Sequence, residues 1–178
     1  MHYKTGFYLS LLVLGLLSFK LIQSQGKGLL PDTRMTHIGI VVKDIDQALN
    51  HWVELLGIEN RPKVTIAEGH YLNPTEYRGK PTSAKAKLAF MKLDNLQIEL
   101  IEPLGDLPSH WREFLNKKGG GVHHIAFEVK GMEETYSQLF KAKGYEMAQH
   151  GGWETGEYGY MDGLDSIGVM IELIERYK

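Results

Sequence analysis

The chain contains no cysteine, which excludes disulfide scaffolds, thiolate zinc sites and thiol nucleophiles together. It carries little net charge: 20 Lys and Arg stand against 22 Asp and Glu, a formal −2. No basic surface for a nucleic acid is written into that balance. No apolar run reaches the roughly 20 residues that a spanning helix needs. The glycine-rich stretch from His150 to Gly159 (HGGWETGEYG) lacks both GxGxxG and Walker spacing, so it implies no nucleotide cradle. Turn chemistry or a loop over a substrate is expected there instead. The remaining composition, 43% hydrophobic and 24% charged in 178 residues, is that of about one globular domain.

What is present begins with a leader. Lys4 supplies a positive start, Phe7 to Phe19 is uncharged and apolar, and Ser24 offers a small residue for cleavage. Residues 1–24 therefore read as a secretory signal peptide and 25–34 as a linker. The expected location is exported, periplasmic or secreted. It is cytoplasmic if the leader is misread, and membrane-attached only if the leader stays uncleaved.

The rest, 35–176, is written twice. HIGIVVKDI from His37 is matched by HIAFEVKGM from His124, and IELIE from Ile98 is repeated at Ile171. The first copy has the longer interval between its two motifs, so it carries an insertion, and the polar stretch from Glu68 to Ala84 is the expected surface loop. Each copy opens with a β-rich run. A helical pattern follows: Ile45, Leu49, Trp52 and Leu56 behind an Asp44 N-cap, then Met132, Tyr136 and Leu139. A hairpin closes each. The expected fold is α+β: two tandem βαβββ modules, about 35–104 and 121–176, pairing into one open-barrel sheet with helices on one face. Ser109 to Asn116 reads as a short linking helix and Gly119 to Gly121 as a hinge.

Strand alternation then singles out four residues. If equivalent faces of the two modules meet, His37, Glu99, His124 and Glu172 converge on one concave site. A lone His or Glu in a strand is ordinarily structural. Two carboxylates turned inward without partners, however, cost several kcal/mol each, so the repeated pair implies a bound cation. Two imidazoles and two carboxylates suit one divalent ion, Zn, Co, Ni, Mn or Fe. Glu102 and Glu175 lie on the opposite face and are expected to meet solvent. His123 points away from His124 and is expected behind it, as a supporting or packing residue. His51, His70, His110 and His150 have no repeat partner and are expected on the surface or a pocket rim.

HIGIVVKDIDQAL, IELIEPLG, GGGVHHIAFEV and GVMIELIE together resemble the vicinal oxygen chelate superfamily, that of glyoxalases and bleomycin-resistance proteins, and within it the methylmalonyl-CoA epimerases most. The resemblance implies a metal on His37, Glu99, His124 and Glu172, with Glu172 and then Glu99 as catalytic proton carriers. It also implies a small-molecule substrate chelating through vicinal oxygens, with a homodimer as an admissible assembly. The activity it implies is a metal-dependent isomerase or epimerase that stabilises an enolate. The alternatives are a glyoxalase-type lyase (lactoylglutathione lyase-like) and a non-catalytic small-molecule binder. Val41 and Pro103 stand where glutathione-using members carry Arg and Asn. Lys87 stands where epimerases place a second acid/base carboxylate. Glu99 speaks against the three-ligand iron site of the dioxygenases. A CoA-thioester enzyme is cytosolic, at odds with a secretory leader: either the leader is misread or the fold serves another substrate outside the cytoplasm.

Overall fold

Residues 28–177 are described by the structure, a computed structural model; the leader expected at residues 1–24 lies outside them. The first module runs β1 (His37–Val41), α1 (Ile45–Leu56), β2 (Thr65–Ala67), β3 (Glu76–Tyr77), β4 (Lys80–Pro81), β5 (Lys85–Lys92) and β6 (Gln97–Leu104). The linking helix α2 (His110–Lys118) leads to β7 (Gly121–Glu128), then a π-helical turn (Met132–Tyr136) entering α3 (Ser137–Lys141). β8 (Met147–Trp153), β9 (Gly156–Met161), the short α4 (Leu164–Ile167) and β10 (Met170–Arg176) complete the second. Among the described residues no helix is long and apolar enough to cross a membrane.

All ten strands form one mixed sheet, ordered β2-β5-β6-β1-β7-β10-β9-β8-β3-β4 and curled into a half-barrel. Within each module the first and last strands pair in parallel, β1 with β6 and β7 with β10, and β1 meets β7 antiparallel at the centre. The duplicated opening strands β1 and β7 thus lie side by side with the closing strands β6 and β10 flanking them, which turns the equivalent side chains of both modules into one cup.

The outer face is covered by α1, whose Ile45 and Leu49 pack on Ala89, Met91, Ile98 and Leu100, and by the second module's helix on Phe127, Ile171 and Leu173. The Asp44 carboxylate accepts from Gln47 N–H at 2.9 Å, the expected N-cap. Three expectations about this layer change. First, helices do not lie on one face only. α2 packs on the concave side, where Trp111 and Phe114 join Val41, Ile101 and Met170, because a curled sheet leaves an apolar floor to be filled. Second, Phe140 and not Leu139 is buried. Tyr136 N–H bonds back five residues to Gly131 C=O, and this wider turn shifts the buried stripe by one position. Third, Glu102 and Glu175 are not idle solvent-facing carboxylates. Glu102 accepts from Ile45 N–H at 2.8 Å, and Glu175 from Gly131 and Met132 N–H at 2.9 and 2.7 Å. Each tethers its module's helix start to the closing strand.

The insertion is more than a surface loop. It leaves β2 at one edge of the sheet and arrives at β3, which pairs with β8 near the other edge, so residues 68–75 strap the mouth of the cup. The free backbone of β8 is what the strap's hairpin satisfies. That hairpin turns through Arg78 and Gly79, both at positive φ, as a two-residue turn of this hand requires. The glycine run before β7 is packed rather than free to hinge: a Cβ on Gly120 would meet the Val41 carbonyl oxygen at 2.9 Å. The expected linker also folds back, with Leu29 and Leu30 resting on the second module's outer cluster.

Glu113 of α2 fastens the strap, accepting from Arg78 Nη2 at 3.0 Å, from Tyr77 Oη and from Lys117. Burial alone would raise its carboxyl, but these three donors win and hold it at about 2. A depressed carboxyl stabilises the fold above its ordinary value near 4.5 and loses that contribution as pH falls through about 2. Glu113→Gln should therefore flatten the acid limb of the unfolding midpoint between pH 5 and 2, measured by chemical denaturation. An unchanged limb would assign the loss to other carboxylates.

Candidate metal centre and substrate cup

His37 on β1, Glu99 on β6, His124 on β7 and Glu172 on β10 converge at the floor of the cup, each a donor atom within 4.8 Å of the others. Four adjacent central strands supply one residue each, which is what inward alternation in a duplicated sheet produces. His124 is fully buried and the other three are 5% exposed. Nε2 of His37 lies 2.9 Å from Nε2 of His124. The Oε2 atom of Glu172 sits 2.8 Å from His37 and 3.2 Å from His124, and Oε2 of Glu99 lies 3.3 Å from both.

Those short contacts differ in kind. Neither imidazole aligns an N–H on Glu172 Oε2, so charge rather than a well-directed hydrogen bond holds this oxygen against the two rings. A buried anionic oxygen in that state is costly unless a cation faces it. Converging imidazole nitrogens and two carboxylates fit a metal ion. Without one, burial pulls His37 down, but Glu172 and Glu99 outweigh it and raise the imidazolium to about 10. His124 is raised in the same way. Burial would raise Glu172 and Glu99, yet the two imidazoles hold both well below the usual carboxylate range.

Gly39 makes the geometry attainable. It pairs with His124 across β1 and β7, and the His124 ring lies over it; a Cβ there would fall 1.9 Å from Cε1. Gly39→Ala is expected to displace the imidazole and lower Co²⁺ affinity at least about tenfold, the lower end for disturbing a ligand's support. Absorption titration of the chelator-treated protein checks this. Wild-type affinity would mean that the ring has room to shift.

The quartet opens into a cavity of about 380 Å³. Leu88, Phe90, Trp111, Tyr158 and Tyr160 form its walls, with Thr75 and Glu68 from the strap. Trp111 Nε1–H donates to Tyr160 Oη at 3.0 Å, and Gln149 Nε2–H donates to Tyr158 Oη at 2.9 Å. Burial raises both phenols above their ordinary value, so they stay neutral. Lys87 is not in the cup. It lies on the outer face, 3.0 Å from Glu102, and the residues of β5 that line the cup or join its floor are Ala86, Leu88 and Phe90. Glu68 does reach the wall but pairs with Lys85.

Two histidines depart from expectation. His110 is 1% exposed, not a rim residue, because it opens α2 just after the Ser109 N-cap and α2 enters the concave side. His123 does sit behind His124, but not by simple alternation. A register shift between Gly39 and Ile40 inserts it as a bulge in β7. The stretch at 150–159 is the β8–β9 hairpin, with the expected turn at Glu154 and Thr155. Its glycines permit close backbone approach: a Cβ on Gly152 would meet the Gly156 carbonyl oxygen at 2.5 Å. Tyr158, Tyr160 and Trp111 were not foreseen as cup residues, although the two-residue spacing of the tyrosines on one strand was the available signal.

These features define a class of protein: a duplicated βαβββ domain whose curled sheet presents a buried two-histidine, two-glutamate cluster able to hold a metal ion. A family model described as the Glyoxalase/Bleomycin resistance protein/Dioxygenase superfamily matches residues 36–161, and the chain belongs to that superfamily. The chain is 29% identical over 150 residues to the uncharacterized protein YqjC of Bacillus subtilis (strain 168), covering 80% of this chain and 91% of that protein. It is 29% identical over 146 residues to the mitochondrial methylmalonyl-CoA epimerase of Homo sapiens, covering 79% and 72%. Among solved structures, a hypothetical protein of Bacillus halodurans C-125 aligns with a TM-score of 0.56 at 28% identity, covering 81% of this chain and 94% of that one. The methylmalonyl-CoA epimerase of Mycobacterium tuberculosis aligns at 0.52 and 22%, over 86% and 95%, a likeness of fold.

Proposed function

We propose that the chain is a divalent-metal-dependent isomerase or epimerase that moves the proton on the carbon next to a carbonyl, acting on a thioester related to methylmalonyl-CoA. The observation that carries this is the convergence of two imidazoles and two carboxylates, all buried, with one donor atom of each within 4.8 Å of the others on the cup floor. His37, Glu99, His124 and Glu172 are the residues that would hold the ion. Once bound, it would act as a Lewis acid toward a substrate carbonyl or vicinal oxygens.

The chain's own residues do the rest. Glu172 shifts between ligand and proton carrier: its carboxylate accepts the α-proton and returns it. Glu99 balances charge and is the second candidate carrier. Phe90, Trp111, Tyr158 and Tyr160 exclude water around the reacting carbon, which strengthens each electrostatic contact there. Incubation with methylmalonyl-CoA in D₂O, followed by proton NMR, tests this: loss of the α-proton signal is expected, and a signal that persists with metal supplied would overturn it.

One observation favours a second reading. β5 offers the cup no carboxylate, so a reaction needing one proton carrier on one face, the glyoxalase-type lyase, fits the walls as well. Turnover of a hemithioacetal made with a thiol other than glutathione would decide for it. The reading of residues 1–24 as an export leader bears on the substrate, because CoA thioesters are cytosolic. A native N-terminus at Gln25 would move the substrate from CoA thioesters to another thioester or hydroxycarbonyl compound, and a chain still beginning at Met1 in the cytoplasm would dismiss the leader.

A further inference from the structure

Behind the quartet, three buried histidines stand in line. His124 Nδ1, on the ring edge away from the cluster, lies 3.0 Å from Nδ1 of His123. His123 Nε2 lies 2.7 Å from Nδ1 of His110. His110, His123 and His124 are each no more than 1% exposed. The chain exists because the β7 bulge turns His123 toward its neighbour and α2 brings His110 to the same depth. Phe114 and Tyr160 pack edge-on against the His123 ring, with centroids 5.1 and 5.0 Å away. His110 in turn borders a separate cavity of about 220 Å³, lined by acidic Glu113, Asp162 and Asp165 together with basic Arg78, Lys117 and Lys118.

A neutral imidazole has one donor and one acceptor nitrogen, so the direction of any link in such a chain dictates the others. We propose that His123 and His110 are positioning residues that lock the tautomer and ring angle of His124. His124 Nδ1–H donates to His123 Nδ1, and His123 Nε2–H donates to His110 Nδ1. Once an ion displaces the proton from His124 Nε2, the lone pair of that nitrogen is thereby committed to the cluster, and Nδ1–H stays on His123 with or without the ion. A ligating histidine ordinarily donates its far N–H to a carboxylate, a backbone carbonyl or water; here another imidazole takes that place and is itself oriented by a third. The opposite direction would put the hydrogen on His124 Nε2 and spoil it as a ligand. The proposal rests on the metal-site reading for its purpose, but not for its first test.

That test is long-range ¹H–¹⁵N correlation NMR of the chelator-treated full chain at neutral pH. His123 and His110 are expected to show bare Nδ1 and protonated Nε2. Protonated Nδ1 on either would overturn the proposal, whether or not an ion binds. The second test is Co²⁺ affinity. His123→Phe, which fills the space and accepts nothing, should lose about 10–100-fold, and His123→Asn, whose Oδ1 can accept where Nδ1 did, should stay within a few-fold of wild type. Equal affinities for the two variants would overturn it. Should His123→Phe fail to fold, the wild-type spectrum decides alone. Absence of Co²⁺ binding by the wild type and both variants alike, with the tautomers as stated, would instead sink the metal-site reading and leave the histidine line as an orienting device for His124.

Discussion

Glu172→Gln should lower turnover by about 10²–10⁴-fold, the usual worth of a positioned proton carrier, while leaving a measurable fraction of bound metal. The amide keeps an oxygen that can coordinate, so the ligand set survives, but it cannot hold a proton between substrate and solvent. In the ion-free wild type the Glu172 carboxyl sits below the usual carboxylate range because two imidazoles flank it, hence it is ionised at neutral pH, and a cation that displaces the imidazole protons removes the pairing that makes it a weak base. Metal content by elemental analysis and turnover of the same sample separate the two roles. Full activity with the amide would remove Glu172 as the base and direct attention to Glu99. Loss of metal and activity together would make it a ligand only.

His37→Ala should abolish stoichiometric metal, with an affinity loss beyond the about 10–100-fold typical of supporting residues. It leaves a three-donor site with two buried carboxylates and one imidazole. The wild-type protein should also bind more tightly as pH rises, and calorimetry in buffers of different ionisation enthalpy should detect at least one proton released per ion. The sign follows from His37. Its folded value, raised to about 10 against an ordinary 6.5, means that the imidazolium stabilises the ion-free fold below about 6.5 and that this contribution fades as pH climbs through about 10. An incoming dication must expel that proton, so metal and acid compete. At a free ion concentration 100 times its dissociation constant, the gain in unfolding free energy should be about 2.7 kcal/mol. A chelator that leaves the thermal midpoint unchanged would show that no ion contributes.

Much of this molecule is legible before folding. The repeated His-Ile and Ile-Glu-Leu-Ile-Glu motifs expose the duplication. Period-two alternation then separates Glu99 and Glu172 from Glu102 and Glu175, because a strand offers only two faces. What alternation cannot describe is a break in itself. The β7 bulge at His123 is an extra residue in one strand against its partner, and nothing local in GVHHI marks it. The π-helical turn after Gly131 is a similar slip, and it exchanged Leu139 for Phe140.

By itself, then, the order of residues determined a doubled βαβββ chain and the four side chains that share its inner faces, since both follow from local periodicity and from copying. Only the tertiary structure decided where α2 goes, that the insertion straps the mouth, that Lys87 turns outward to Glu102, and that His110 reaches His123. Each of these joins residues far apart in the chain through the curl of one sheet, and that curvature is a property of all ten strands together rather than of any segment.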